Sequence, residues 1–321
     1  MRKITLARWS LVFCGSLLGL AALAQNTPPI RIVVPFNPGG GSDLFARLIA
    51  PGLSQSLKRP VIVENRAGAG GIIGADYVAK SAPDGNTLLL SDSAAYTISP
   101  ALYPALPYAA KDLAPVAEAG RFANVLLVPA ASPYRTLQEV LAAARKEPGK
   151  LTIASSGNGA SPHLTAEKLQ RDAGIRLVHV PYKGSGPALA DLLAGHVDMI
   201  FSGLPAVSEY VKAGKLRAVA IASLQRSSFA PEVPTFAESG VPGFESLISQ
   251  GLFAPAAVPP ALVAQVNAAV IEVLNGKDMA PRLLQLKVEP HQDSAAQYKA
   301  WLDQQAQTWT RLIREAAIKV E

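Results

Sequence analysis

Two short segments of this 321-residue chain put glycines and small polar residues where backbone amides can do chemistry. The first is VPFNPGGGSD, Val34 to Asp43, in which an apolar run ends in Gly39, Gly40 and Gly41 and a helical pattern then begins. Glycines let the backbone approach a ligand closely, and the exposed amides of a starting helix favour an anion. A nucleotide is disfavoured, because Leu44 holds the last glycine place of GxGxxG and no lysine follows as in a phosphate-binding loop. The plain alternative is a tight turn in which Ser42 or Asp43 only caps the helix. The second segment, SSGNGASPH from Ser155 to His163, has the same plan. There Ser155, Ser156, Asn158 and Ser161 add neutral donors that suit a carboxylate. If the two segments face each other, a molecule with acidic ends fits between them. A third loop, Pro181 to Pro187, carries Lys183, which reads first as a solvated lysine and second as a contact for an acidic ligand.

Catalytic and metal chemistry find less support. A single histidine in a first helical turn, His163, reads as a capping or packing residue before it reads as a catalyst. His179, His196 and His291 have no metal-ligand spacing with one another or with nearby acids. No G-x-S-x-G occurs, so a glycine loop supplies an oxyanion cradle without its nucleophile. The expectation is a protein that binds, with no cofactor and no metal.

The elements that must hold these loops follow a repeated strand, turn, helix pattern. Ile30 to Pro35, Val61 to Glu64 and Thr87 to Leu90 read as strands, with helices predicted over Asp43 to Leu57 and Gly71 to Lys80. Pro51-Gly52 should end or kink the first helix. Strands at Leu151 to Ala154, Leu177 to Pro181, Val197 to Phe201 and Leu216 to Ala222 alternate with further helices. Thr136 with Glu139, and Ser294 with Gln297, form capping boxes, and Ser161 before Pro162 reads as an N-cap. Such alternation predicts an α/β protein with mostly parallel sheets. Asn124 to Val128 and Leu247 to Phe253 read as strands connecting two lobes. Residues 25–124 with 247–321 would then form lobe 1, and 125–246 lobe 2, a size consistent with roughly 150 residues per domain.

Arg2, Lys3 and Arg8, the apolar run Trp9 to Leu23 and the small-x-small Ala22-Leu23-Ala24 read as a cleaved secretory signal over residues 1–24. The run is shorter than the roughly 20 apolar residues that span a bilayer. Cleavage removes those three cations, halving the formal charge of +6, and also removes Cys14, the only cysteine. No basic stripe interleaved with aromatics remains, so nucleic acid is excluded as a partner.

Along essentially its whole length beyond the signal, the chain resembles the Bug family of extracytoplasmic solute-binding receptors of tripartite tricarboxylate transporters. VPFNPGGGSD, VIVENRAGAGGIIGADYVAKSAPDGNTLLL, LTIASSGNGASPHL, HVPYKGSGPALADLLAGHVDMIF, KLRAVAIAS, EVPTFAESGVPGFE and GLFAPAAVP carry the resemblance in order. It implies a two-lobed, periplasmic-binding-protein-like "Venus flytrap" (type II) with ligand in the cleft. It also implies that Phe36, Asn37, Gly40, Gly41, Ser42 and Asp43 face the ligand from one lobe. From the other lobe the same resemblance places Ser156, Asn158, Gly159, Ser161 and His163, with Tyr182 and Gly184 as neighbours. Two departures fall on the cleft wall: Ser202, where the family often has an acid, and Ser249-Gln250, where it often has an aromatic pair. Without that acid an amine-bearing ligand is expected to be disfavoured against a plain carboxylic acid. Ser99 stands where the family commonly has asparagine.

The reading is therefore a periplasmic, monomeric, non-enzymatic receptor that closes on a small mono-, di- or tricarboxylate and presents it to a membrane permease. An accessory of a sensory system is the alternative. An exported hydrolase using Ser156 or Ser161 with His163 is the weaker one.

Overall fold

A computed structural model describes residues 28–286, 288, 293–315 and 318. The predicted signal segment and His291 lie outside the described residues. In chain order the elements begin β1 (Ile30–Val34), α1 (Gly41–Ser56), β2 (Val61–Asn65), α2 (Ile72–Ala79), β3 (Thr87–Asp92) and the short helices α3 (Ala94–Thr97) and α4 (Ser99–Leu102). The long β4 (Leu113–Pro129) follows, then α5 (Leu137–Lys146), β5 (Thr152–Ser155), α6 (Ser161–Ala173), β6 (Val178–Pro181), α7 (Ser185–Leu193) and β7 (Met199–Gly203). The chain continues through α8 (Leu204–Lys212), β8 (Leu216–Ile221), β9 (Leu247–Pro255), α9 (Pro260–Leu274), α10 (Met279–Leu286) and α11 (Ala295–Glu315).

Among the described residues the strands join in the order β2-β1-β3-β9-β4-β7-β5-β6, with β8 also on β4. Pairings of β1 with β2 and β3, and of β5 with β6 and β7, are parallel. Strands buried by helices on both faces need no polar alternation, which is why IVV of β1 and LLL of β3 are continuous apolar runs, with the polar Arg31 and Thr87 before them only partly buried. The strands through which the chain crosses between the halves are antiparallel. Residues 113–123 of β4 pair with β9, whereas 124–129 pair with β7 and β8. The predicted strand at Asn124 to Val128 is thus the far end of a strand of 17 residues. Bulges at Pro115/Ala117, Glu118/Gly120 and Leu126/Leu127 bend it, as an extra unpaired residue does.

Two main cores flank this strand. One gathers Ile32, Phe45, Leu90, Leu252 and Val270; the other gathers Val140, Ile153, Leu169, Phe201 and Phe244. Burying each such side chain contributes roughly 1.5–3 kcal/mol, so each half holds together through its own helices and strands.

Two local expectations are corrected. The helix α1 does not stop at Pro51-Gly52: Pro51 sits on its exposed face, where water can serve the carbonyl that loses its donor. Gly52 is there for packing, since a Cβ would lie 2.7 Å from Cγ1 of Val273 on α9. Ser161 is not the N-cap of α6; Ala160 is, so this helix starts without a side-chain cap. The boxes at Thr136/Glu139 and Ser294/Gln297 form as expected.

Candidate ligand-binding site

The carboxyl ends of β1, β3, β5 and β7 converge between the halves, where open α/β sheets place their ligands. The space they enclose is small, about 30 Å³, roughly one water's share of liquid volume. Of the residues singled out in the sequence, Phe36, Gly40, Gly41, Ser42, Ser156 and Ser202 line this cavity. Phe122, Pro162, Ser185, Ile248 and the β7 terminus at Gly203 complete much of the wall. Gly203 admits the Phe122 ring, because a Cβ there would lie 2.1 Å from Cε2.

The first loop presents backbone. The helix α1 begins with N-cap Gly40 and no side-chain cap, leaving the first-turn N–H groups at Gly41 and Ser42 without helical acceptors. Neither Gly40 nor Gly41 needs a left-handed backbone; Gly39 does, at φ +92°. A Cβ at positions 40 and 41 would sit in the cavity wall at ordinary contact distance, 3.7 Å from Ser185 and 3.7 Å from Phe122 respectively. Asp43 faces away from the ligand space. Its carboxylate takes Arg47 Nε at 3.0 and 3.1 Å, Asn65 Nδ2 at 2.9 Å and the Gly39 N–H at 3.1 Å. Burial pushes this carboxyl up, but the hydrogen bonds outweigh it and hold it below the usual range. Asp43 therefore braces the loop from behind.

Most of the second loop is turned away from the cavity too. The Gly159 N–H donates to Nδ1 of His163 at 3.1 Å, and Nε2 of His163 lies 3.6 Å from Glu167. His163 stacks on His179 at 4.0 Å, and His179 Nε2 meets Ser155 Oγ at 2.6 Å. Burial, then the neighbouring His163, depress His179 to about 3. Both nitrogens of His163 thus face partners other than Ser156 and Ser161, so neither of these serines is paired with His163 as a hydrolase would need. His163 caps and packs, as its position suggested.

Asn37, Asn158, Gly159 and Gly184 form contacts between the halves instead of lining the cavity. The Asn37 N–H donates to the Lys183 carbonyl at 3.3 Å, beside Gly184. Tyr103 Oη donates to the Asn158 carbonyl at 2.8 Å and packs on Gly159. Tyr182 donates to Asp191 at 2.6 Å, within its own half. Ser161 contributes its backbone N–H, and the acceptor is a residue that sequence reasoning passed over.

That residue is Asp92. It ends β3, is 5% exposed and lines the cavity. Its Oδ1 accepts the Ala94 N–H at 3.1 Å, and the Ser161 N–H of α6 also supports the carboxylate. Burial pushes its carboxyl up to about 6 against these bonds. The strand predicted to stop at Leu90 runs two residues further, and the strand-end rule applied to that longer strand points to Asp92. The expectation of a cleft wall without an acid, drawn from Ser202, considered only one strand end. Gln250 does line the cavity, as the departure at Ser249-Gln250 suggested, whereas Ser249 turns to the Tyr298 hydroxyl.

A cavity between two α/β halves, walled by strand ends and helix starts, defines a two-lobed solute-binding protein. Residues 45–318 match the model of the tripartite tricarboxylate transporter family receptor, and the chain belongs to that family. It is 38% identical over 295 residues to protein BugT of Bordetella pertussis, covering 91% of this chain and 90% of that one. Its fold is similar to MatC of Rhodopseudomonas palustris with bound malate, at TM-score 0.86 and 32% identity over 90% of this chain and 99% of that one. R. palustris Rpa4515 with adipate superimposes at TM-score 0.88 and 31% identity, covering 92% and 99%. The family is one of receptors, not enzymes.

Proposed function

We propose that the chain is a periplasmic receptor that captures a small carboxylate between two lobes and hands it to the membrane permease of a tripartite transporter. The lobes meet where the chain crosses near residues 124 and 247. The observation that carries this reading is the cavity itself. Uncapped N–H groups of α1 face it from one lobe, and the Asn37–Lys183 and Tyr103–Asn158 contacts join the lobes at its rim. A ligand can drive closure only by contacting both lobes, which is what lets a permease tell a loaded receptor from an empty one. Malate in MatC and adipate in Rpa4515, both in related folds, support a carboxylate as the cargo.

Phe36, Gly40, Gly41, Ser42, Ser156 and Ser202 form the binding surface in this proposal, while Asn37, Asn158, Gly159 and Gly184 hold the closed form. Residues 1–24 direct export and are removed, and the receptor works as a monomer. The deciding experiment is mass spectrometry of small molecules released from natively purified protein, followed by calorimetry with the compound found. A bound carboxylate that shifts the protein to a more compact form in X-ray scattering is the expected result. Absence of any carboxylate, or binding without compaction, overturns the reading.

A further inference from the structure

Asp92 and Gln250 stand directly opposite each other on β3 and β9, in register, so their side chains project to the same side of the sheet. Both line the cavity. Gln250 is 3% exposed, and its Oε1 is buried with no hydrogen-bond partner among the described residues. A buried acceptor without a donor loses its hydration and gains nothing in return, so it favours a ligand that brings an N–H or O–H group. Among the described lining residues Asp92 is the sole charged side chain; no lysine, arginine or histidine is present to balance it. A purely anionic ligand would set like charges together in a dry space, where their repulsion is strongest.

The donors lie on the other side. The N–H groups of Gly41 and Ser42 open α1, and a Cβ at Gly41 would lie 3.8 Å from Gln250 Nε2. The helix start that can accept an anion is therefore the near neighbour of the Asp92–Gln250 pair in the same wall. We infer that Asp92 and Gln250 select a carboxylate ligand that also carries an ammonium group, the carboxylate on α1 and the ammonium between the two side chains. This rests on the receptor reading above and narrows its ligand class to amino-carboxylates.

The test is calorimetry on matched pairs that differ only by the amine: succinate and aspartate, glutarate and glutamate, butyrate and 4-aminobutyrate. At least one amino member is expected to bind about tenfold or more tighter than its plain partner. Asp92→Asn, which keeps the side-chain shape, should erase that ratio by weakening the amino member and strengthening the plain acid; Gln250→Leu should reduce the ratio less. A merely structural Asp92 would weaken both members alike. Should Asp92→Asn fail to fold, Gln250→Glu adds a carboxylate beside Asp92 and should widen the ratio. Equal or tighter binding of the plain acids, or a ratio unmoved by these variants, overturns the inference and leaves the receptor reading standing. No binding by any member of either series overturns both.

Discussion

The two glycine loops look alike in sequence and do different work. In the first, residues 36–43, Phe36, Gly40, Gly41 and Ser42 open onto the cavity while Asp43 braces the loop from behind. In the second, residues 156–163, only Ser156 and Pro162 reach the cavity. Its other members meet the opposite lobe through Tyr103 and Gly70, or a histidine pair behind the loop. On the function proposed above, the same strand-turn-helix plan yields a binding surface in one place and a closing contact in the other. What separates them is how close the neighbours come: Phe122 and Gln250 at ordinary contact distance from a Cβ at Gly41, the Tyr103 ring pressed to within 2.7 Å of one at Gly159.

The sharpest way to break this comparison is to fill each glycine in turn. Gly41→Leu puts a side chain into the cavity from an ordinary helical position, so affinity should fall on the order of 100-fold or more with little change in melting. Gly159→Ala meets both a left-handed backbone, φ +75°, and Tyr103 Cε2 at 2.7 Å. Its cost should appear in stability, more than about 1 kcal/mol in chemical denaturation. Equal melting losses for the two variants would erase the distinction.

Next in size is the lobe contact. A Cβ at Gly70 would lie 1.9 Å from the Asn158 carbonyl oxygen, so Gly70→Ala must hold the lobes apart there. Apparent affinity should drop about tenfold, because fewer molecules reach the binding-competent closed form. X-ray scattering should show less compaction at saturating ligand. Full compaction would mean that the second loop does not govern closure.

The pH dependence of stability without ligand separates the same two regions by sign. Asp92 is raised to about 6, so the folded state holds a proton that the unfolded chain releases near 4. Stability from this group falls as pH rises from about 4 to about 6, by on the order of 3 kcal/mol. His179, depressed to about 3, acts oppositely. It supports the fold above its ordinary value near 6.5, and that support is lost as pH falls toward 3. Denaturation curves of Asp92→Asn should lack the first slope, and those of His179→Phe the second. A slope unchanged in its own variant assigns it elsewhere.

Much of this was legible from residue types alone. Apolar runs such as Ile30 to Val34 and turn chemistry marked the strands and helix starts, and the glycine loops marked the cleft. What pattern could not reach was direction. Asn158 and Gly41 are equally good candidates by type, and only the packing of Tyr103 against one and not the other sorts them. Asp92 escaped because LLLSD reads as a strand's apolar run ending in a polar turn; its neighbour Gln250 lies far along the chain and meets it only through β3–β9 pairing.

The smallest effect tests the bracing of the first loop. Arg47 holds Asp43 through two hydrogen bonds, but its side chain is 52% exposed, whereas Asn65 and the Gly39 N–H hold the same carboxylate from within. An exposed partner in such a pair contributes roughly 0.2–1 kcal/mol, so Arg47→Ala should weaken ligand binding only about twofold to fivefold. Asp43→Ala removes the acceptor for all three donors and frees Gly39 to move, and should weaken binding several times more. If Arg47→Ala proves as damaging as Asp43→Ala, the arginine positions the loop itself. The cradle of the first loop would then be held by an ion pair at the surface, not by the buried hydrogen bonds behind the glycines.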